Sequence, residues 1–170
     1  MAVATETPEK VVVSSVEKPH ETPAGWEPNV LAIVCHYCAF AAADLAGVMR
    51  LSYSPNVKII RLPCTGKLDH MHVLRAFEKG VDGVFVAGCL KGQCHFLQGN
   101  FFAARRVEYV KSLLAKVGID PARLEMFNLS AAMGPRWAEI CNEFTERVRT
   151  IGPSPISLAK HQQLCGMEKE

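Results

Sequence analysis

The chain has 170 residues, 49% hydrophobic and 21% charged, the balance of one globular domain with a polar coat. Nineteen Lys and Arg against seventeen Asp and Glu leave a formal net charge of +2. That is too small for a polyelectrolyte footprint and argues against nucleic-acid binding as the main role. No apolar run approaches the roughly 18–20 residues of a membrane span, and none opens the chain like a signal peptide. A cytoplasmic protein without a membrane span is expected.

Residues 1–28 read as a flexible N-terminal arm. Pro8, Pro19, Pro23 and Pro28 punctuate a stretch of Thr, Glu, Lys and Ser that is too polar to build a core. Val11-Val12-Val13 is its one apolar run, and an added edge strand is the alternative to disorder there. The α/β domain spans 29–152. Val30–Val34 is a short apolar strand, and Ala39 to about Tyr53 is rich in Ala and Leu and predicts a helix. Val57–Leu62 is a second strand. Leu68–Lys79 is a second helix, stopped by Gly80. Gly83–Ala87 is a third strand. Phe101–Val117 is a third helix, with Val107, Val110, Leu114 and Val117 on one face and Gly118 as its stop. Leu124–Leu129 is a fourth strand. Arg136–Ile151 is a last helix, with Trp137, Ile140, Cys141, Phe144, Val148 and Ile151 on one stripe. Pro153 and Pro155 cannot continue it, so 153–170 reads as a C-terminal tail.

This βαβαβαβα alternation predicts an α/β fold. A parallel four-stranded sheet should carry helices on both faces, in three layers of the flavodoxin or Rossmann kind, with right-handed crossovers. There is no internal repeat.

The seven cysteines should be reduced thiols in a chain without an export signal. Cys35 and Cys38 follow the first strand, Cys64 the second, and Cys89 and Cys94 the third. All five lie just past strand carboxyl ends, the edge where parallel α/β sheets bind ligands. Gly66, Gly88, Gly92 and Gly99 accompany them. Glycines allow tight turns and let backbone N–H groups approach a thiolate or sulfide. Positive helix ends should lower the pKa of Cys35 or Cys38.

Four readings of these thiols compete. An iron–sulfur cluster uses about four thiolates and recruits them from scattered loops; it is preferred. Structural zinc usually shows two close Cys/His pairs in a domain too small to fold alone. Cys35-His36-Tyr37-Cys38 also matches a thioredoxin-like redox layout, but that leaves Cys64, Cys89 and Cys94 without a role. Buried small-hydrophobe cysteines are common singly and explain five at strand ends poorly. His36 and His95 adjoin cysteines and read as supporting or surface groups. His70 and His72 read as exposed helix positions, Cys141 as core and Cys165 as a bystander. Lys91, Arg105, Arg106 and Lys111 are candidate docking cations, against the more usual solvated face. There is no nucleophile–base pair, P-loop or Gly-x-Gly-x-x-Gly fingerprint.

The ordered set Cys35-x-x-Cys38, Ala43-Asp-Leu-Ala-Gly47, Pro63-Cys-Thr-Gly66, Gly80-Val-Asp-Gly-Val84 and Gly88-Cys-x-x-Gly-x-Cys-His95 with Gly99-Asn100 resembles a known family. It is the delta, iron–sulfur subunit family of methyl-viologen-reducing hydrogenase, and the likeness runs from about Asn29 to Pro153. The resemblance implies a [2Fe-2S] cluster. It implies an electron relay from a hydrogenase or formate dehydrogenase to the flavin subunit of heterodisulfide reductase. Such assemblies bifurcate electrons between ferredoxin and the coenzyme M–coenzyme B heterodisulfide in methanogens. Related modules serve other acceptors in other anaerobes. The motif cysteines are Cys35, Cys38, Cys64, Cys89 and Cys94. A [2Fe-2S] cluster takes four, and Cys38, one helical turn past Cys35, is the candidate spare. The arm lies outside the family pattern. The expectation is a non-catalytic electron-transfer subunit. The alternatives are a thioredoxin-like thiol–disulfide oxidoreductase using Cys35 and Cys38, and a zinc-stabilised adaptor.

Overall fold

A computed structural model describes residues 22–160 except residue 24. Val11–Val13, Cys165 and most of both expected tails lie outside the described residues. The strands are β1 (Val30–Cys35), β2 (Val57–Leu62), β3 (Gly83–Cys89) and β4 (Leu124–Leu129). The α-helices are α1 (Ala39–Val48), α2 (His70–Glu78), α3 (Gly99–Lys116) and α4 (Gly134–Ile151). All four strands are parallel in the order β2-β1-β3-β4.

Side chains alternate between two apolar layers along the strands, as period-two geometry requires. Val30, Ala32 and Val34 of β1 join Phe85 and Ala87 of β3 against the alanines of α1 and the Trp137–Val148 stripe of α4. Leu31 and Ile33 join Val84 and Val86 against Val73 and Phe77 of α2 and Val107, Val110 and Leu114 of α3. β1 and β3 are buried on both faces. This is the expected three-layer α/β fold. Cover is incomplete over the edge strand β2, where Ile60 is 50% exposed.

The chain leaves β1 toward β2 on one side and reaches β3 on the other. The carboxyl ends of β1 and β3 therefore flank the point where strand order reverses, the natural crevice of an open parallel sheet.

Boundaries differ from the sequence reading where tertiary contacts or caps decide them. α1 stops at Val48, with Arg50 in the left-handed region at φ 54°. Leu51 and Tyr53 turn back onto the α1–α4 core, and Tyr53 meets the Trp137 ring edge-on at 6.3 Å. α2 starts two residues late because Asp69 caps it, accepting from the Met71 N–H at 2.8 Å. His72 is more than an exposed helix position: its Nδ1 accepts from the Asp69 N–H at 3.1 Å and closes the capping box.

The amino-terminal edge of the sheet is tied by Asp82, which is buried. Its carboxylate accepts from the Asn29 and Ser154 N–H groups at 3.0 and 2.8 Å. Buried Arg123 donates to the carbonyls of Asp82, Gly152 and Pro153. The start of the expected C-terminal tail is thus held to the domain: Ser154 is buried and 155–160 is helical. Among the described residues no helix is long and apolar enough to cross a membrane.

Candidate functional site

The five strand-end cysteines meet at the carboxyl edge of the sheet, and their sulfurs fall into pairs. Cys35 closes β1 and Cys89 closes β3, on adjacent strands, with their Sγ atoms 3.8 Å apart. Cys64 opens the 3-10 turn Thr65–Lys67 after β2, and Cys94 lies in the loop between β3 and α3; their Sγ atoms are 4.0 Å apart. Cys38 sits at the N-terminus of α1, half-buried, and its thiol lies against those of both Cys89 and Cys35. All five are unbridged. Among the described residues no three His, Cys, Asp or Glu side chains surround one point as a single metal ion requires.

Backbone N–H groups point at these sulfurs. The Ala39 N–H reaches Cys35 Sγ at 3.3 Å and the Gly66 N–H reaches Cys64 Sγ at 3.3 Å. The His95 N–H serves Cys89, and those of Phe96, Asn100 and Gly99 serve Cys94. The last two belong to the first turn of α3, whose free donors suit an anion.

Burial competes with these donors and usually wins. It pushes the thiols of Cys35, Cys38 and Cys64 up, and Cys89 to about 11. The expected fall at Cys35 or Cys38 is therefore overturned. For Cys35, desolvation outweighs the N–H groups of Ala39 and Cys38. Cys94 alone of the five is lowered: burial raises it, but the N–H groups of Phe96, Asn100 and Gly99 and the Cys64 thiol outweigh that.

Beside the Cys64–Cys94 pair, two glycine positions leave no room for a side chain. A Cβ on Gly99 would overlap Cys64 Sγ and stand 3.3 Å from Cys94 Sγ. One on Gly66 would stand 2.8 Å from the Gly99 Cα. Three side chains hold the loops. Arg106 donates to the Gly66 carbonyl at 2.6 Å and the Leu68 carbonyl at 3.0 Å. Buried Asn100 donates to the carbonyls of Cys89 and Leu90 at 3.1 and 2.8 Å. Asn128, near the end of β4, donates to the Cys89 carbonyl at 2.6 Å.

Arg106 is thus not the docking cation the sequence suggested; its charge is turned inward onto the Cys64 loop. Lys111 is also engaged, with Glu125 at 3.1 Å and Glu108 at 3.5 Å. Lys91 and Arg105 stay exposed. His36 and His95 flank Tyr37, which stacks on His95 at 4.0 Å and meets His36 edge-on at 5.1 Å. His70 meets Tyr109 edge-on at 5.1 Å. Cys141 lies fully buried in the α4 stripe, where desolvation pushes it to about 12. Asn128 escaped the sequence reading; an amide inside an otherwise apolar strand end was its only signal.

The same segment of chain is shared with known proteins. Residues 30–152 match the family described as methyl-viologen-reducing hydrogenase, delta subunit. A Methanococcus maripaludis protein, named as an iron-sulfur subunit of the F420-non-reducing hydrogenase vhu, is 48% identical over 130 residues, 76% of this chain and 97% of that one. An Archaeoglobus profundus protein, named as an iron-sulfur subunit of F420-non-reducing hydrogenase, is 41% identical over 128 residues, 75% of this chain and 93% of that one. A Methanosarcina mazei protein, named as one of the subunits of ferredoxin:CoB-CoM heterodisulfide reductase, is 37% identical over 142 residues, 84% of this chain but 18% of that much longer one.

Proposed function

We propose, for a chain that belongs to the methyl-viologen-reducing hydrogenase delta-subunit family, that it is an electron-transfer subunit holding a [2Fe-2S] cluster. The observation that carries this reading is the two-plus-two arrangement of sulfurs. A tetrahedral metal with metal–sulfur bonds of about 2.3 Å spaces its ligand sulfurs about 3.8 Å apart. The pairs Cys35–Cys89 and Cys64–Cys94, at 3.8 and 4.0 Å, have that spacing. A [2Fe-2S] cluster takes two thiolates per iron, whereas one zinc ion would need its ligands around a single point. In this assignment Cys38 is the spare thiol and lies against Cys35 and Cys89.

The cluster supplies reversible one-electron transfer. The chain's own residues supply the rest. Burial keeps water off the sulfurs. The N–H groups of Ala39, Gly66, His95, Phe96, Gly99 and Asn100 offset thiolate charge. Gly66 and Gly99 let the Cys64 loop and the α3 N-terminus close on each other, and Arg106, Asn100 and Asn128 fix the loops. A dithiol enzyme would need only Cys35 and Cys38, and would leave the Cys64–Cys94 pair without a role.

The names of the relatives support the assembly. One set is named as hydrogenase iron–sulfur subunits, and in the Methanosarcina protein a segment like this chain is part of a much longer heterodisulfide reductase polypeptide. Those neighbourhoods support a relay between a hydrogenase or formate dehydrogenase and the flavin subunit of a heterodisulfide-reductase-type bifurcating complex. The test is anoxic purification through a tag on this chain. A flavoprotein and a hydrogenase or formate dehydrogenase should co-purify, and hydrogen or formate should reduce the complex's [2Fe-2S] signal. That signal should be missing from a complex made with Cys64→Ser.

A further inference from the structure

Two cavities share Phe102 as a wall, and the first opens beside Cys64. One, about 270 Å³, has Cys64, Gly66 and Gly99 among its lining residues, together with Pro63, Phe96 and Lys67. The other, about 390 Å³, is walled by Phe101 and Phe102 and edged by Lys91 and Arg105. The rim is unusually apolar for a surface. Phe96, Phe101 and Phe102 are each about half exposed. Next to Phe96 in the chain, Leu97 is held in the left-handed region at φ 63° and is 82% exposed. A short hairpin, closed by the Leu97 N–H on the Cys94 carbonyl at 2.9 Å, keeps it there. Leucine gains nothing locally from that conformation, and such strain persists where a site uses it. A contiguous set of large apolar groups in water marks an interaction surface.

The charge around the rim has one sign. Lys67, Lys91 and Arg105 line these cavities, and no Asp or Glu does. Among the described residues, the ion pairs on the molecule involve none of these three cations. An aromatic centre with a polar, singly charged rim is the anatomy of a protein docking site. We infer that this double cavity is the socket for one redox partner protein, which presents an apolar side chain ringed by carboxylates. The inference rests on the electron-transfer reading, because Cys64 lines the socket, and it assigns the docking face that reading leaves open. Arg106, although next to Arg105, is not part of the socket.

The experiment uses the tagged full chain and its anoxically purified complex. In a Lys67→Glu, Lys91→Glu, Arg105→Glu variant, recovery of the complex at 0.15 M salt should fall about tenfold or more, because rim charge steers association. Visible absorption and iron content of the chain should be unchanged. Charge reversal at the amino-terminal end of the edge strand β2, Lys58→Glu, should leave recovery unchanged. Hydrogen exchange on the wild-type complex checks the face without mutation: 64–67 and 91–105 should be protected relative to the free chain. Full recovery of the triple variant, or protection confined to 57–62 on the β2 edge, overturns the socket. So does a homodimer of this chain that the same substitutions dissociate. A wild-type chain lacking iron and sulfide, with charge-dependent assembly intact, would sink the cluster reading and leave the docking face standing.

Discussion

The α-carbon hydrogen of Gly99 faces Cys64 Sγ so closely that a methyl group there would overlap the sulfur. Gly99 begins α3 and Cys64 ends the β2 loop, so one missing side chain lets two distant segments close around the sulfur pair. Gly99→Ala should force the Cys64 thiol from its position. We expect a chain that still folds, with a stability loss of about 1–3 kcal/mol from overpacking, and iron content at less than half that of the wild type. Thermal unfolding and iron per chain, measured on the same sample, check both parts.

Arg106 should prove structural. It makes two charge-assisted bonds to the carbonyls of Gly66 and Leu68, each worth about 1.5–3 kcal/mol. Allowing for solvent access, Arg106→Ala should cost about 2–3 kcal/mol in denaturant unfolding and speed hydrogen exchange over 64–68. Arg106→Lys should recover only part, because an ammonium cannot reproduce the planar fork. Arg105→Ala, one residue away and exposed, should leave stability within about 0.5 kcal/mol of the wild type.

The thiols should separate into three classes. Cys35→Ser, Cys64→Ser, Cys89→Ser and Cys94→Ser each break a sulfur pair and should bleach the protein. Cys38→Ser should keep its colour and shift its spectrum or potential slightly, through the lost contact with Cys89. Cys141→Ser should keep colour and lose stability, since a hydroxyl replaces a thiol fully buried in the α4 stripe. Bleaching by Cys141→Ser with the fold intact would contradict the sheet-edge site.

The isolated, iron-loaded chain should show negligible reduction of insulin or small disulfides, because a thiolate bound to iron is not free to attack sulfur. Robust turnover lost with Cys35→Ser would support the dithiol alternative.

Acid should weaken the β4 edge through Glu125. Burial raises this carboxyl, but bonds from Lys111 and the Met126 N–H, with Arg147 nearby, outweigh it and hold it below the ordinary value. Its contribution is therefore present above the unfolded carboxyl pKa and is lost as pH falls through the lower folded one. Because Glu125 is partly exposed, the amount should be under about 1 kcal/mol. Glu125→Gln should flatten the acid limb of the stability curve by that much and leave neutral-pH iron content unchanged.

Much of this molecule was readable before its structure. Apolar runs at Val30, Val57, Gly83 and Leu124, separated by amphipathic stretches, leave few alternatives to a parallel sheet, and strand-end cysteines then share an edge. The pairing was not readable. That Cys35 meets Cys89 as well as Cys38 depends on β1 and β3 being neighbours, which strand order decides and local pattern does not. The thiol pKa directions were missed because helix ends and glycines are visible in a sequence, whereas the depth of Cys35 and Cys38 is not. Arg106 looked like its neighbour Arg105; one position of helical phase turns one guanidinium onto the Cys64 loop and leaves the other in water. The end of α1 was overestimated because Ala and Leu favour helix locally, while Leu51 and Tyr53 are recruited by the core.

The central claim is two pairs of thiolates around two irons, and one measurement on anoxically purified protein tests it most directly. Iron, acid-labile sulfide and zinc should be counted per chain on the sample used for electron paramagnetic resonance after reduction. We predict about two irons, about two sulfides, no stoichiometric zinc and an S = 1/2 signal. One zinc per chain without sulfide, or four irons with four sulfides, would contradict it.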